Sequence, residues 1–431
     1  MNIRLNLLLL AASCLTAATA QTKDYSTEIT AHQHASNYFA YPYLDNVAPR
    51  QTPAPKGYVP FHLEHYGRHG SRYLIDEKQY TRSVEILEIA ERNRRLTPLG
   101  QRVLDHVRDF CPTAENRGGD LSDRGALQHK AIARRMAENY PEIFMTDAYV
   151  NARSTIVERC ILSMLNGLDA LHTANPSLKI TSDASRADMH YMNLDHDTIK
   201  AKRSHGTRTA YKKFSKRHAN KGDFINKLID DPKFAADSID MKALFNDLFP
   251  VLANDQSHIG REWLLEEVFT PEEIHQRWLC RNAKWFIHGG NSKITENIVP
   301  YIQGNLLTNI IESADTAMVS SNTSANLRYG HDGVVLPLAV LMEIDDYGRE
   351  INDLEDLGEI WRDYLVIPMA ANIQMIFYRP EGSVNPDEVL VKVMLNEREV
   401  RLPVDTYTAP YYPWSALRRY YTDKLSSNTI K

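Results

Sequence analysis

Tyr66-Gly67-Arg68-His69-Gly70-Ser71-Arg72 decides how this chain is read. It closes Val59 to Tyr66, a short run rich in β-branched and aromatic residues that predicts a strand, and Gly67 and Gly70 punctuate it, so chain direction must change between Gly67 and Arg72. Two arginines flanking a histidine in a glycine-rich turn at a strand end aim two guanidinium forks at one point where backbone N–H groups also converge. Phosphate suits that geometry. Taken as three letters alone, Arg68-His69-Gly70 fits equally well a surface turn whose arginines form ion pairs.

Downstream of this turn, Tyr80, Val84, Leu87 and Ala90 share a helical face, and Arg92, Arg94 and Arg95 crowd its C-terminal end, where cations suit the helix dipole. Thr97 is expected as an N-cap with Pro98 at the first helical position, followed by Leu99, Val103, Val107 and Phe110 at helical spacing. A further helix starts after Ser122, with Ile132, Met136 and Tyr140 on one face, and stops at Pro141; Val157, Ile161, Met164, Leu168 and Leu171 form another amphipathic run. Upstream, Pro42, Pro49, Pro53, Pro55 and Pro60 predict an extended N-terminal arm across the surface.

From 186 to 310 the pattern is polar or helical, which predicts an inserted helical subdomain between two halves of one body, 21–185 and 311–431. Its first part is basic: Lys200 to Lys227 holds ten Lys or Arg against the single acid Asp223. Such a run is either a solvated helix face or an anion-attracting rim. Strands are expected again at Ala317 to Ser321, at Ile373 to Tyr378 and at Glu388 to Leu395, the last alternating around Val389, Val391 and Val393. His331-Asp332-Gly333 leads into the apolar run Val334 to Ile344, a core helix that tolerates Pro337 in its first turns.

The composition sets the outer bounds. The 431 residues carry 50 Lys and Arg against 55 Asp and Glu, with 43% apolar and 24% charged residues. That is a globular composition, and a net charge of −5 does not favour a general nucleic-acid binder. Residues 1–20 run from Arg4 through a Leu-rich core to Ala18-Thr19-Ala20, the layout of a secretory signal peptide, so a periplasmic or secreted protein is expected. A lipid on Cys14 is the alternative, because Ala12-Ser13-Cys14 loosely resembles a lipoprotein cleavage box, although Ala11 stands where a larger aliphatic residue is usual. No later segment has about 18 uninterrupted apolar residues, so no transmembrane segment is expected. Cys111, Cys160 and Cys280 remain after the leader, without a CxxC spacing; one bridge and one free thiol would fit an oxidising compartment.

Four pieces in order resemble the histidine acid phosphatases, the clade that holds phytases and multiple inositol polyphosphate phosphatases. Tyr66 to Arg72 resembles the RHGxR signature, Leu121 to Gln128 the LTxxGxxQ helix start, Arg153-Ser154-Thr155 with Arg159 and Ser163 the RSTxxxRxxxS segment, and His331-Asp332 the C-terminal HD pair. The match extends from about residue 58 to 345. Asn372 to Tyr378 and Leu395-Asn396-Glu397 resemble inositol polyphosphate phosphatases more loosely. The proline of the RHGxRxP form is missing, since Tyr73 and Leu74 follow Arg72, and Gly333 stands where an HAE motif carries its acid.

The resemblance implies a phosphoglycerate-mutase-like, three-layer α/β body with a central mixed sheet and a mostly helical cap, the active site lying in the cleft between them. It implies a metal-independent phosphomonoester hydrolase with no cofactor and an acidic pH optimum. His69 would be the nucleophile, forming a phosphohistidine that water hydrolyses, and Asp332 would protonate the leaving alkoxide and then activate the water. Arg68, Arg72, Arg153 and His331 would hold the phosphate oxygens. The basic segment makes an inositol polyphosphate such as phytate the leading substrate, with a broad acid phosphatase as the alternative.

Each residue also has a plainer reading. Asp332 would serve as an N-cap, His331 as a satisfied core histidine, and Arg153 as a local ion-pair partner. A zinc hydrolase is a rival because His62, Glu64, His65 and His69 crowd one stretch, though strand alternation sets His62 and Glu64 apart from His65. A second rival is an inositol-phosphate-binding surface protein without turnover, which would need neither a nucleophile nor an acid.

Overall fold

The computed structural model describes residues 29–44, 47–145, 147–219, 222–319 and 323–428. The leader and Cys14 lie outside the described residues. The strands are β1 (Tyr58–Arg68), β2 (Tyr149–Ser154), β3 (Lys179–Asp183), β4 (Ala325–Gly330), β5 (Asn372–Pro380), β6 (Leu390–Leu395), β7 (Arg398–Glu399) and β8 (Tyr411–Pro413). They form one mixed sheet in the order β3-β2-β4-β1-β5-β6-β7, with β8 on β6. The β3-β2-β4-β1 half is parallel and β5 turns antiparallel to β1.

Helices cover both faces, as a sheet with a parallel half requires. On one face Asp123–Asn139 and Glu158–Ala174 pack through Ile132, Met136, Met164 and Leu171 onto Val150, Leu327 and Ile376. On the other, Gly304–Val319, Asp332–Leu341 and Trp414–Ser427 cover Ile373, Met375 and Val391. A third cluster is all helical: Leu87 of Lys78–Arg92 and Val103 of Pro98–Ala114 join Leu244 of Met241–Ala253 and Phe269. Residues 186–310 are helical throughout the regular elements described in them.

The local signals hold where the chemistry is local. Thr97 Oγ1 accepts from the Gly100 N–H at 3.0 Å with Pro98 at the first helical position, and Ser122 Oγ accepts from Gly125 N–H at 3.2 Å. The Pro141 stop and the strands at Val59, Ile373 and Leu390 also appear. The strand expected at Ala317 to Ser321 does not: Ala317 lies in the Gly304–Val319 helix, and the strand begins at Ala325. Ala317 completes the buried helical face Leu306, Ile310, Ala314, whose spacing outweighs its β-branched surroundings.

The N-terminal arm is not wholly at the surface. Ser36 and Asn37 are buried in a short turn, Ser36–Tyr38, and Tyr41 is buried just beyond it. The three described cysteines are free thiols rather than one bridge and one thiol. No helix among the described residues is long and apolar enough to cross a membrane.

Candidate active site

The parallel strands β1, β4 and β2 end side by side, and their C-terminal ends carry His69, His331 and Thr155. Open α/β sheets bind ligands in this crevice. The His69 N–H donates to Gly330 O at 2.9 Å and Thr155 N–H to Tyr329 O at 3.0 Å, so the three strand ends are tied at one level.

The loop after β1 is held from below. Ser71 N–H donates to Gln128 Oε1 at 2.8 Å, Gln128 Nε2 donates to Ser71 Oγ at 2.9 Å, and Ser122 N–H donates to Ser71 O at 2.9 Å. Gly70 N–H donates to Ser163 Oγ at 3.1 Å. A Cβ at Gly125 would lie 2.1 Å from Ser71 O, and one at Gly70 2.4 Å from Gly125 O, so two backbones touch where only glycine fits. The Gly125, Gln128 and Ser163 positions thus act as a cradle for the histidine loop.

His69 is buried, and its Nδ1 lies 2.9 Å from Gly70 O. A carbonyl can only accept, so Nδ1 carries the proton and Nε2 keeps a free lone pair. Burial, then Arg68, Arg159, Arg72 and His331, push the His69 pKa well below its ordinary value. His69 is therefore neutral. The His331 ring lies 6.0 Å away, its Nε2 3.2 Å from Thr155 Oγ1, and burial lowers its pKa to about 4.

Arg68 is fully buried. Its Nη1 donates to Asn37 O at 2.8 Å and Ile367 O at 2.7 Å, and its Nη2 pairs with Asp332 Oδ2 at 2.9 Å. Arg72 is buried too and donates to Tyr73 O at 2.8 Å. The Nε atoms of Arg68, Arg72 and Arg159 are buried with no hydrogen-bond partner. Burial, opposed by Asp332, lowers the Arg68 pKa to about 10, and burial likewise lowers that of Arg159. Three crowded guanidinium groups around a neutral imidazole leave donors for an anion.

Asp332 opens the Asp332–Leu341 helix one position after its N-cap, His331, and is 17% exposed to the cleft. Its Oδ1 accepts from Gly333 N–H at 2.9 Å, and its Oδ2 accepts from Asn37 Nδ2 at 3.0 Å. Burial alone would raise its pKa, but Arg68, the Asn37 hydrogen bond and Arg72 hold it at about 2.

Arg153, expected on the phosphate, is not brought into this cluster. Its β2 register places it beside Arg328, which lies beside Tyr66, two residues short of Arg68. Its Nη1 donates to Ala152 O at 2.9 Å and its Nε faces Asp188 at 3.7 Å. Arg159, in the first turn of Glu158–Ala174, supplies the third guanidinium instead. Side chains in that turn point back toward the strand ends. Sequence reasoning also missed Asn37 and Arg281, whose Nη2 donates to Asn37 Oδ1 at 2.7 Å.

The zinc rival fails on geometry. His62 Nε2 and Arg328 Nη1 both engage Glu64, at 2.7 and 2.5 Å, whereas His65 packs on Tyr329 and His69 lies beyond the end of β1 with its Nδ1 on Gly70 O. The four side chains do not converge.

The fold that carries this cluster is that of the histidine acid phosphatases. No protein-family model matches the chain, and no curated protein does. Solved structures do. The multiple inositol polyphosphate phosphatase of Bifidobacterium longum, in its phosphate complex, matches with a TM-score of 0.68 and 19% identity over 92% of this chain and 99% of its own. That protein has also been solved with inositol hexasulfate. The phytase from D. castellii matches with a TM-score of 0.68 and 16% identity over 98% of this chain and 91% of its own. Hafnia alvei phytase, in complex with tartrate, matches with a TM-score of 0.55 and 13% identity over 86% and 98%.

Proposed function

We propose that the chain is a metal-independent phosphomonoester hydrolase that works through a phosphohistidine on inositol polyphosphates such as phytate. The observation that carries this reading is neutral His69, its Nε2 lone pair free, ringed by Arg68, Arg72 and Arg159 with unused buried donors. The three arginines take up the non-bridging oxygens and compensate the charge that phosphoryl transfer keeps on them. His69 Nε2 attacks phosphorus and the P–O bond to the leaving group breaks. Asp332 delivers a proton to the departing alkoxide, then takes one from the water that splits the P–N bond, which regenerates neutral His69 and releases phosphate.

Asp332 is ionised in the free protein, so its proton has to arrive with the substrate. A phosphomonoester monoanion brings that proton and competes for Arg68, which removes the main attraction holding the carboxylate charged.

A polyanionic substrate would meet further cations linked to this cluster. Arg277, Arg281, Lys284 and His288 follow one face of the Pro271–Gly289 helix, and Arg281 reaches Asp332 through Asn37. Beyond burial, the charges that lower the Arg277 and Lys284 pKa values are those of neighbouring cations, Arg281 first in both. The Lys200 to Lys227 run contributes less than its charge implies. Lys200 pairs with Asp195, Lys202 with Glu296, and Arg217 with Glu355, while Lys227 binds the carbonyl of Glu267 at 3.0 Å.

The deciding experiment is phosphate release by the purified chain from phytate and from an aryl phosphate at pH 4 to 8, with and without EDTA, beside His69→Ala. Chelator-resistant release that is lost in His69→Ala supports the reading, and preference for the aryl phosphate would make the protein a broad acid phosphatase. Phytate binding without release would make it a binding protein. Export through the leader belongs to the same proposal, and the N-terminal residue and mass of the exported chain distinguish cleavage before Gln21 from a lipid on Cys14.

A further inference from the structure

Asn37 sits more than 30 residues before the histidine motif, yet its side chain and carbonyl touch three charged groups of the site. Its carbonyl accepts from Arg68 Nη1 at 2.8 Å, its Nδ2 donates to Asp332 Oδ2 at 3.0 Å, and its Oδ1 accepts from Arg281 Nη2 at 2.7 Å. The two neighbours dictate the amide orientation, because a flip would set oxygen against carboxylate and NH2 against guanidinium.

The segment that delivers Asn37 is itself clamped. Ser36 adopts φ +61°, a left-handed backbone, and its hydroxyl donates to buried Asp363, which also accepts from Trp278 Nε1 at 3.1 Å. Phe39 O accepts from Met369 N–H at 2.8 Å, and Tyr38 places its ring between Arg72 and Arg281, 5.5 and 5.9 Å from their guanidinium carbons. A strained residue held by a buried carboxylate marks a turn whose position is over-determined.

We propose that Asn37 is a positioning residue for proton transfer: it holds the Asp332 carboxyl in place after the substrate phosphate has drawn Arg68 away, and stabilises the carboxylate that forms as the proton leaves. While Arg68 binds substrate, the remaining grips on Asp332 are the backbone N–H of Gly333 on Oδ1 and Asn37 on Oδ2. An N–H donated to the conjugate base strengthens the acid at the moment of transfer. The idea rests on the phosphatase reading above.

The test is leaving-group dependence. An alkyl leaving group such as an inositol oxygen needs the acid, whereas p-nitrophenolate departs without much help. Asn37→Ala should lower kcat on phytate roughly tenfold or more while changing p-nitrophenyl phosphate turnover less than about threefold, and should add nothing to the phytate loss of Asp332→Asn. Asn37→Asp keeps the shape and the Arg281 acceptor but removes the donor, and should show the same split even if the alanine variant folds poorly. Equal losses on both substrates, or additive losses with Asp332→Asn, would make Asn37 a structural residue and overturn the proposal. A wild-type chain inactive on both substrates would instead overturn the phosphatase reading, and this role with it.

Discussion

Arg68 and Asp332 form an ion pair of 2.9 Å at the C-terminal end of β1, so a phosphate bound at Arg68 would compete with Asp332 for the same guanidinium. The guanidinium is fully buried, so its charge has few partners to choose from. Asp332→Asn should therefore free Arg68. We expect inorganic phosphate to bind the variant more tightly, by about tenfold, corresponding to roughly 1.4 kcal/mol, while phytate turnover falls about 10²-fold or more. Calorimetry of phosphate binding beside kinetics checks both, and weaker phosphate binding in the variant would refute the competition.

The two arginines of the Arg153 to Ser163 segment predict opposite outcomes. Arg159→Ala removes a donor next to His69 and should reduce kcat/KM on any phosphomonoester by roughly 10²- to 10³-fold. Arg153→Ala disrupts a contact with Asp188 away from the cluster and should cost less than about threefold. Kinetics of the two variants on an aryl phosphate decide between them, and a large loss in Arg153→Ala alone would restore the sequence-based assignment.

That exchange shows where sequence reading stops. The strand, the turn and the helix caps around His69 are encoded within a few residues, because hydrogen bonds such as Thr97 to Gly100 are local. Which arginine of the segment stands beside His69 depends on where β2 ends relative to β1, a matter of register between strands far apart in the chain. The signal was present, since the first helical turn after a parallel strand lines the crevice. Asn37 offered none: nothing in Ala35-Ser36-Asn37-Tyr38 announces contacts to Arg68, Arg281 and Asp332, which only the tertiary fold brings together. The dense run at Lys200 is legible in the sequence, yet carboxylates answer Lys200, Lys202 and Arg217 in the fold, whereas Arg277, Arg281 and Lys284 are spread along Pro271–Gly289 and make no run that a sequence would announce.

The glycine cradle predicts a stability defect that carries activity with it. A methyl at Gly125 meets Ser71 O at 2.1 Å and Ser71 N at 2.8 Å, both backbone atoms that cannot rotate aside. Gly125→Ala should destabilise the fold by about 1–3 kcal/mol and displace the loop that carries His69. Thermal melting with assays well below the transition checks this, and an unchanged midpoint with full activity would show that the contact is not limiting.

Acid should unfold this protein through its histidines. Burial comes first in lowering His65, His129 and His258 to about 3 and His34, His288 and His331 to about 4, and His69 goes well below its ordinary value by the same cause. In the unfolded chain each takes up a proton as pH falls through 6.5, whereas the folded chain refuses it at the first six until about pH 3 to 4 and at His69 until well below the ordinary value. Their contribution is thus fully present above about pH 6.5 and is lost progressively below it. Asp363 acts in the opposite sense: burial raises it to about 6, so its contribution is present below its unfolded value of 3.8 and fades as pH rises through 6. Seven histidines outweigh one aspartate, and the melting midpoint should fall steadily from pH 7 to pH 4. A midpoint that stays flat or rises over that range would mean that these histidines are protonated in the fold. In that case His69 would no longer qualify as a neutral nucleophile on burial alone, and the acid limb of any activity profile would report its titration rather than unfolding.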